Sequence, residues 1–313
     1  MDKDAIVKAL EKRLGSVHAR QRLGIEQDKE PRVFGGGLNY FHPENWISGR
    51  TIIRLILQGT GFYWRGRKNT LKHQLVENDI RITGLPASFE GFTLLHLSDL
   101  HADMYPPALD ALIARVKPLD YDICVMTGDY RARTFGSIDA AVDSMTYLLE
   151  HLKSPVYSVL GNHDSVRMIP QLEQAGCQFL LNETVQIKKQ GEIISLAGID
   201  DAHYYRVDNI EKVAEQIDPG HVSILLSHTP EIYRQAAHAG FNLMLSGHTH
   251  GGQICLPGGI PVTLDATLPR HMGSGAWQYG KLQGYTSRGA GTSIVPVRIN
   301  CLPEITLHRL QST

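Results

Sequence analysis

The sequence predicts a layered α/β body, and three observations carry that expectation. From Ile80 onward, short β-runs alternate with helical stretches. Five of those runs end directly in polar motifs, at the strand edge where α/β sheets form ligand crevices. The chain has 313 residues, 42% hydrophobic and 20% charged, a globular composition near the upper end of what one core supports.

Taken in order, Ile6, Val7, Leu10 and Leu14 fall at helical spacing and predict a short amphipathic helix over 4–14. Gly35–Gly37, Pro43 and Gly49 make the next stretch irregular. A distinctive segment follows, with Trp46, Ile52, Ile53, Leu55, Ile56, Leu57, Phe62, Tyr63 and Trp64 among six basic residues and no acidic one between Glu44 and Glu77. Strands are expected at Phe92–Leu97, Asp122–Thr127, Val156–Leu160, Ile193–Ala197, Val222–Leu226, Leu243–Leu245, Ile294–Ile299 and Glu304–Leu310. Helices are expected at Pro107–Val116, Ile138–Leu152, Ile169–Ala175, Ile210–Gln216 and Glu231–Ala239. No internal repeat stands out.

The whole-chain charge of −1 hides a division. Residues 1–84 carry a net +6 and residues 85–313 a net −7. This suggests a basic, partly helical N-terminal extension over 1–84 and a catalytic domain over 85–313. Cys124, Cys177, Cys255 and Cys301 are scattered, which fits a reducing compartment better than a disulfide framework. The first twenty residues lack the apolar core of a secretory signal, and no apolar run approaches the roughly 18–20 residues of a spanning helix. The expected location is the cytoplasm.

The motifs after the strands carry the chemistry. SDLH supplies Asp99 and His101, and GDY supplies Asp129. GNHD supplies Asn162, His163 and Asp164, SH supplies His228, and SGHTH supplies His248 and His250. Nitrogen and oxygen donors without a thiol suit a two-metal site rather than a structural zinc site. Imidazole and carboxylate ligands admit manganese, iron or zinc, with manganese favoured here.

The ordered set DxH, GD, GNHD, H and GHTH resembles the calcineurin-like metallophosphoesterase superfamily over roughly residues 91–310. The resemblance implies two mixed β-sheets packed face to face and flanked by helices. It implies one divalent ion held by Asp99, His101, Asp129 and His250. A second would be held by Asp129, Asn162, His228 and His248. It further implies attack on phosphorus by a hydroxide that the two ions share. His163 would steady the transition state or protonate the leaving oxygen, and Asp164 would orient its imidazole. Arg131 and Arg133 are candidates to grip a phosphate oxygen, and His203 to line the rim of the cleft with Asp200 and Asp201.

The run HTHGGQICLPG and the late GAGTSIVPVRINCLPEITL look most like a bacterial, membrane-associated group that acts on lipid-linked phosphoesters. The implied substrate is a membrane-lipid phosphodiester cleaved in the manner of a phospholipase C. Alternatives are a UDP-2,3-diacylglucosamine pyrophosphate, a cyclic or small nucleotide, or a vestigial site on a membrane-binding protein. The basic segment bears on this independently. Arg54, Trp64, Arg65, Arg67 and Lys68 suit the headgroup layer of an anionic membrane, which would make the protein peripheral on the inner face of the cytoplasmic membrane. The competing reading is that the segment packs on the acidic body as a core helix. Nucleic acid is not an expected partner, because the acidic body would repel a duplex. The sequence does not define an oligomeric state.

Overall fold

The computed structural model describes residues 3–28 and 47–313, and in it the alternation is realised as two six-stranded sheets. The first sheet runs, in spatial order, β1 (Gln74–Ile82), β14 (Glu304–Ser312), β2 (Thr93–Leu97), β3 (Ile123–Met126), β4 (Val156–Ser158) and β5 (Cys177–Phe179). The second runs β12 (Gly275–Tyr279), β13 (Leu282–Thr286), β9 (Leu243–Ser246), β8 (Ser223–Leu226), β7 (Glu192–Gly198) and β6 (Glu183–Lys189). Strand β14 lies between β1, to which it is parallel, and β2, to which it is antiparallel. The remaining strands, β10 (Cys255–Leu256) and β11 (Ile260–Pro261), form a small separate hairpin.

Burial shows why the layers stack. Ile80, Leu94 and Val125 of the first sheet share one core with Ile194, Ile224, Leu226 and Leu245 of the second, so the two sheets face each other. The outer face of the first sheet is covered by α1 (Lys3–Leu14), α2 (Ser16–Asp28), α5 (Pro106–Val116), α6 (Asp139–Leu149) and α7 (Ile169–Gln174). Helices α8 (Ile210–Glu215) and α9 (Tyr233–His238) cover the second. The central strands β2, β3, β8 and β9 are short apolar runs, as strands buried on both faces should be. A pair of helices, α3 (Ile47–Gly59) and α4 (Phe62–Asn69), packs Leu57 and Tyr63 against Val295, Val297 and Ile299.

The structure corrects three expectations. Residues 294–299 are not a strand, because their backbone bonds elsewhere: Arg298 N donates to Gly66 O at 2.9 Å, and Ile299 makes only an isolated bridge to Ile254. Strands β1, β5, β6 and β10 to β13 were not expected. They are short or carry polar residues on one face, which blurs the β signal.

The division at residue 84 also does not mark a structural break. Strand β1 belongs to the first sheet, and Leu10, Leu14, Ala19 and Leu23 belong to the core beneath it. Arg13 pairs with Glu173 at 2.6 Å and Glu183 at 2.8 Å, so part of the N-terminal basic charge is met by the acidic body. The irregular stretch around Gly35–Gly37 and Pro43, and Trp46 with it, lies outside the described residues.

Helix α2 is held by a fully buried Arg22. Its guanidinium lies 3.3 Å from the Tyr205 ring centroid, donates to Asp164 O at 2.9 Å, and is paired with Glu26 at 3.5 Å and Asp200 at 3.9 Å. Burial works to raise the Asp200 pKa, but the charge of Arg22 and the hydrogen bond from His18 outweigh it and hold the carboxyl below its ordinary value. This stabilisation is therefore present at neutral pH and lost as pH falls through the carboxylate range. Asp200→Asn is expected to cost about 3 kcal/mol at pH 7, because it leaves a buried guanidinium short of charge. In urea unfolding the cost should shrink below about pH 4.

Candidate active site

The seven expected metal-ligating residues converge at one edge of the facing sheets. Asp99 and His101 follow β2, Asp129 follows β3, and Asn162 follows β4. His228 follows β8, while His248 and His250 follow β9. All seven are buried. Five of them (Asp99, His101, Asp129, His248 and His250) sit at positive φ, a left-handed conformation that is uncommon outside glycine. Such strain at one site persists only where the surroundings over-determine it. Two glycines make the close approach feasible. A Cβ at Gly161 would collide with the Asp129 carboxylate, and one at Gly247 with Ser98 and Asp99.

The donor atoms form two groups within reach of a single ion each: Asp99, His101 and His250, and Asp129, His228 and His248. In the first, the Nε2 atoms of His101 and His250 face each other at 3.1 Å, and His250 Nε2 is 3.4 Å from Asp99 Oδ1. In the second, His228 Nε2 lies 3.1 Å from His248 Nδ1, 2.9 Å from Asn162 Oδ1 and 3.4 Å from Asp129 Oδ2. Asp129 Oδ2 is also 3.8 Å from His101 Nε2, so this carboxylate stands between the groups.

Outer bonds set the ring orientations. His101 Nδ1 donates to Arg131 O at 2.7 Å and His228 Nδ1 to Thr127 O at 2.7 Å, which turns both Nε2 atoms inward. Imidazole nitrogens and carboxylate oxygens aimed at one another in a buried space fit two divalent cations.

The remaining expected residues divide. His163 lies beside the groups, with Nε2 3.9 Å from Asp129 Oδ2, its backbone N–H on Asp129 Oδ1 at 2.9 Å, and its ring edge-on to His101. Asp164 is not an orienting partner of that imidazole. Its carboxylate accepts from the backbone N–H groups of Asp129, Tyr130 and Gly161 at 2.7–2.9 Å and ties two ligand loops together. Arg131 is buried and spends its guanidinium on the carbonyls of His163 and Thr134, so no phosphate grip is left to it. Arg133 is exposed beside a separate depression with Asp103 and Phe135. His203 packs its ring 4.2 Å from that of His248, bonds Glu231 at 2.6 Å and lies within 4.8 Å of Asp265, which lines the cleft, so it stands at the edge of the site. Asp200 and Asp201 are buried. His96 and His308 are structural, buried in the core with rings tilted by 33° and centroids 5.4 Å apart.

Sequence reasoning missed Arg298. It is fully buried, makes no salt bridge among the described residues, and donates to the carbonyls of His250, Gly291, Arg288 and Gly289 at 2.6–3.0 Å. The same segment fixes Asp99 through Gly291 N to Asp99 O at 2.9 Å. The signal was the single arginine inside the otherwise apolar run SIVPVRI.

A cleft of about 420 Å³ opens over the ligands. Its lining combines Asp129, Asn162, His163, His248 and His250 with the aliphatic Ile53, Ile254, Val262, Leu264, Ile294 and Val295, and with the polar Gln253, Thr263, Asp265 and Ser293. Ile294 has φ 65°, and Val295 N bonds Ser293 O, a strained three-residue turn. The Gln253 side chain clamps this turn through Ser293 N, Ser293 O and Val295 O.

Burial alone would lower the His228 pKa, but the Asp129 carboxylate outweighs it and holds it at about 10. At neutral pH a proton thus occupies the place that an ion would take. Metal binding should release this proton, so apparent affinity for Mn²⁺ should rise up to about tenfold per pH unit between about pH 6 and 8. Calorimetry in buffers of different ionisation enthalpy checks the release.

Comparison with known proteins agrees with this geometry. The calcineurin-like phosphoesterase family model matches residues 92–252, a span that contains all seven ligand candidates. The Bacillus subtilis (strain 168) metallophosphoesterase YkoQ is 31% identical over 269 residues, 82% of this chain and 97% of its own. The Bos taurus transmembrane protein with metallophosphoesterase domain is 31% identical over 257 residues, 75% of this chain and 56% of that protein. Phosphodiesterase YaeI of Escherichia coli (strain K12) is 28% identical over 239 residues, 70% of this chain and 82% of its own. The chain belongs to the calcineurin-like phosphoesterase family and is a phosphoester hydrolase.

Proposed function

We propose that this hydrolase cleaves a phosphodiester of a membrane lipid, in the manner of a phospholipase C. The observation that carries the substrate class is the mixed lining of the cleft, in which six aliphatic side chains share one cavity with the metal-site residues. A strained isoleucine in that lining strengthens the point, since a turn at φ 65° would be cheaper with glycine. The similar YaeI is named a phosphodiesterase, and the similar bovine protein is named a transmembrane protein.

Asp99, His101 and His250 would hold one divalent ion and Asn162, His228 and His248 the other, with Asp129 between them. When bound, the ions would supply Lewis acidity and an acidified water. The chain's own residues do the rest. Asp129 and Asp164 lock the backbones of the ligand loops to each other. His163 stands at the cleft, where it can stabilise charge on the phosphoryl group or give a proton to the departing oxygen. The aliphatic part of the cleft lining would keep acyl chains beside the phosphate. In the reaction, water adds to phosphorus and the bond from phosphorus to the glycerol oxygen breaks. That oxygen takes a proton, and the products are diacylglycerol and a headgroup phosphate.

Mass spectrometry of a mixed lipid extract incubated with enzyme and Mn²⁺ tests the reading. Diacylglycerol is expected; a lipid monophosphate from an acyl-sugar pyrophosphate, or turnover of small nucleotides alone, would replace it. Activity on bis(p-nitrophenyl) phosphate should vanish with chelator and return with Mn²⁺. Asp129→Asn should lose about a thousandfold in kcat, and His163→Asn about a hundredfold with metal content intact. Ile294→Ser should leave the small chromogenic diester almost unaffected but raise KM for a diacyl substrate about fivefold, because the cleft lining would hold an acyl chain about 1 kcal/mol less tightly.

A further inference from the structure

Helix α3 is apolar on two faces. Ile53 and Leu57 pack onto Val295, Val297 and Ile299, whereas Ile52, Leu55 and Ile56 are 56–60% exposed. A surface helix ordinarily carries one apolar stripe, and a second one calls for a second apolar partner. The β10–β11 hairpin shows the same property, with Leu256, Ile260 and Val262 at 54–56% exposure. The α3–α4 pair and the hairpin are linked through Arg65 of α4 and through the cleft. Asn300 accepts from Arg65 at 3.4 Å and donates to Cys255 O at 2.9 Å, and Ile53 and Val262 both line the metal cleft.

We infer that α3, Trp64 and the β10–β11 hairpin form one seat for an anionic bilayer surface, holding the mouth of the metal cleft against the headgroups. Charge selects this occupant. Exposed Arg54, Arg65 and Lys68 border the apolar residues, no acidic residue lies between Glu44 and Glu77, and residues 253–264 carry no charge at all. Anionic headgroups complement that set. A second copy of the chain on the same face would set these cations against their own kind. Trp64, 61% exposed, suits the headgroup layer. Helix α3 has 13 residues, too few to cross, and no described helix is long and apolar enough to cross a membrane. It would lie in the plane of the interface. The seat deepens the lipid reading above, but it rests on the surface rather than on the reaction.

Vesicle cosedimentation of the full chain tests it. The wild type should bind vesicles of phosphatidylcholine with about 30% phosphatidylglycerol at about 0.1 M salt, and bind pure phosphatidylcholine much less. Leu55→Asp/Ile56→Asp and, separately, Leu256→Asp/Ile260→Asp should each weaken partitioning about tenfold or more. Hydrolysis of bis(p-nitrophenyl) phosphate should stay at the wild-type level in both, which shows that the variants fold. Three results would overturn the seat: no binding by the wild type, binding untouched by the hairpin pair, or a dimer that the same substitutions dissolve. Turnover of detergent-dispersed lipid separates the two ideas. Turnover without vesicle binding defeats the seat alone, and vesicle binding without turnover defeats the lipid substrate alone.

Discussion

The constraint on which the rest of the structure depends is electrostatic. Seven buried side chains aim lone pairs and carboxylate oxygens at one another at the floor of the cleft, an arrangement that is costly until cations fill it. Left-handed backbone at five of the seven positions and collisions awaiting any Cβ at Gly161 and Gly247 are the local consequences. They persist because the two packed sheets deliver their strand ends to one place and leave each loop little freedom. Folding energy from the layered core is thereby converted into preorganised metal affinity.

A second theme is the use of buried guanidinium groups as ties. Arg131 bonds the carbonyl of His163, Arg22 that of Asp164, and Arg298 that of His250. Each arginine comes from a different part of the chain, and each holds the backbone of a ligand loop or of the residue beside it. A planar donor fork can span several carbonyls at once, which a lysine cannot reproduce. Arg298 also lies close enough to Asp99 for the two charges to attract, so it tempers the negative charge of the site.

Much of this was legible in the sequence. The central strands are short apolar runs ending in Asp, His or Asn, and that pattern located β2, β3, β4, β8 and β9 together with all seven ligand candidates. Edge strands such as β6, whose residues alternate with lysine and glutamine, gave a weaker signal. Residues 294–299 misled because Ile, Val, Val and Ile suit a strand equally well as a clamped loop. Only the long-range bonds from Gln253 and Gly66 decide between them. The tasks of Asp164, Arg131 and Arg298 were illegible for the same reason: a hydrogen bond to a distant carbonyl leaves no periodicity behind. Likewise, the charge division at residue 84 was real as arithmetic yet did not coincide with a boundary, since Arg13 and Arg22 reach acids over 150 residues away.

The position of β14 has a consequence for biosynthesis. This strand is inserted between β1 and β2, although more than 200 residues separate it from either. During vectorial synthesis β2, and with it the Asp99 loop, must wait for residues 304–312 to leave the ribosome before gaining its neighbour. The segment that fixes Asp99 emerges only shortly before. Until then an apolar strand edge stays open and high contact order slows closure. The Asp99 loop therefore gains its full set of backbone supports only after β14 has joined the sheet.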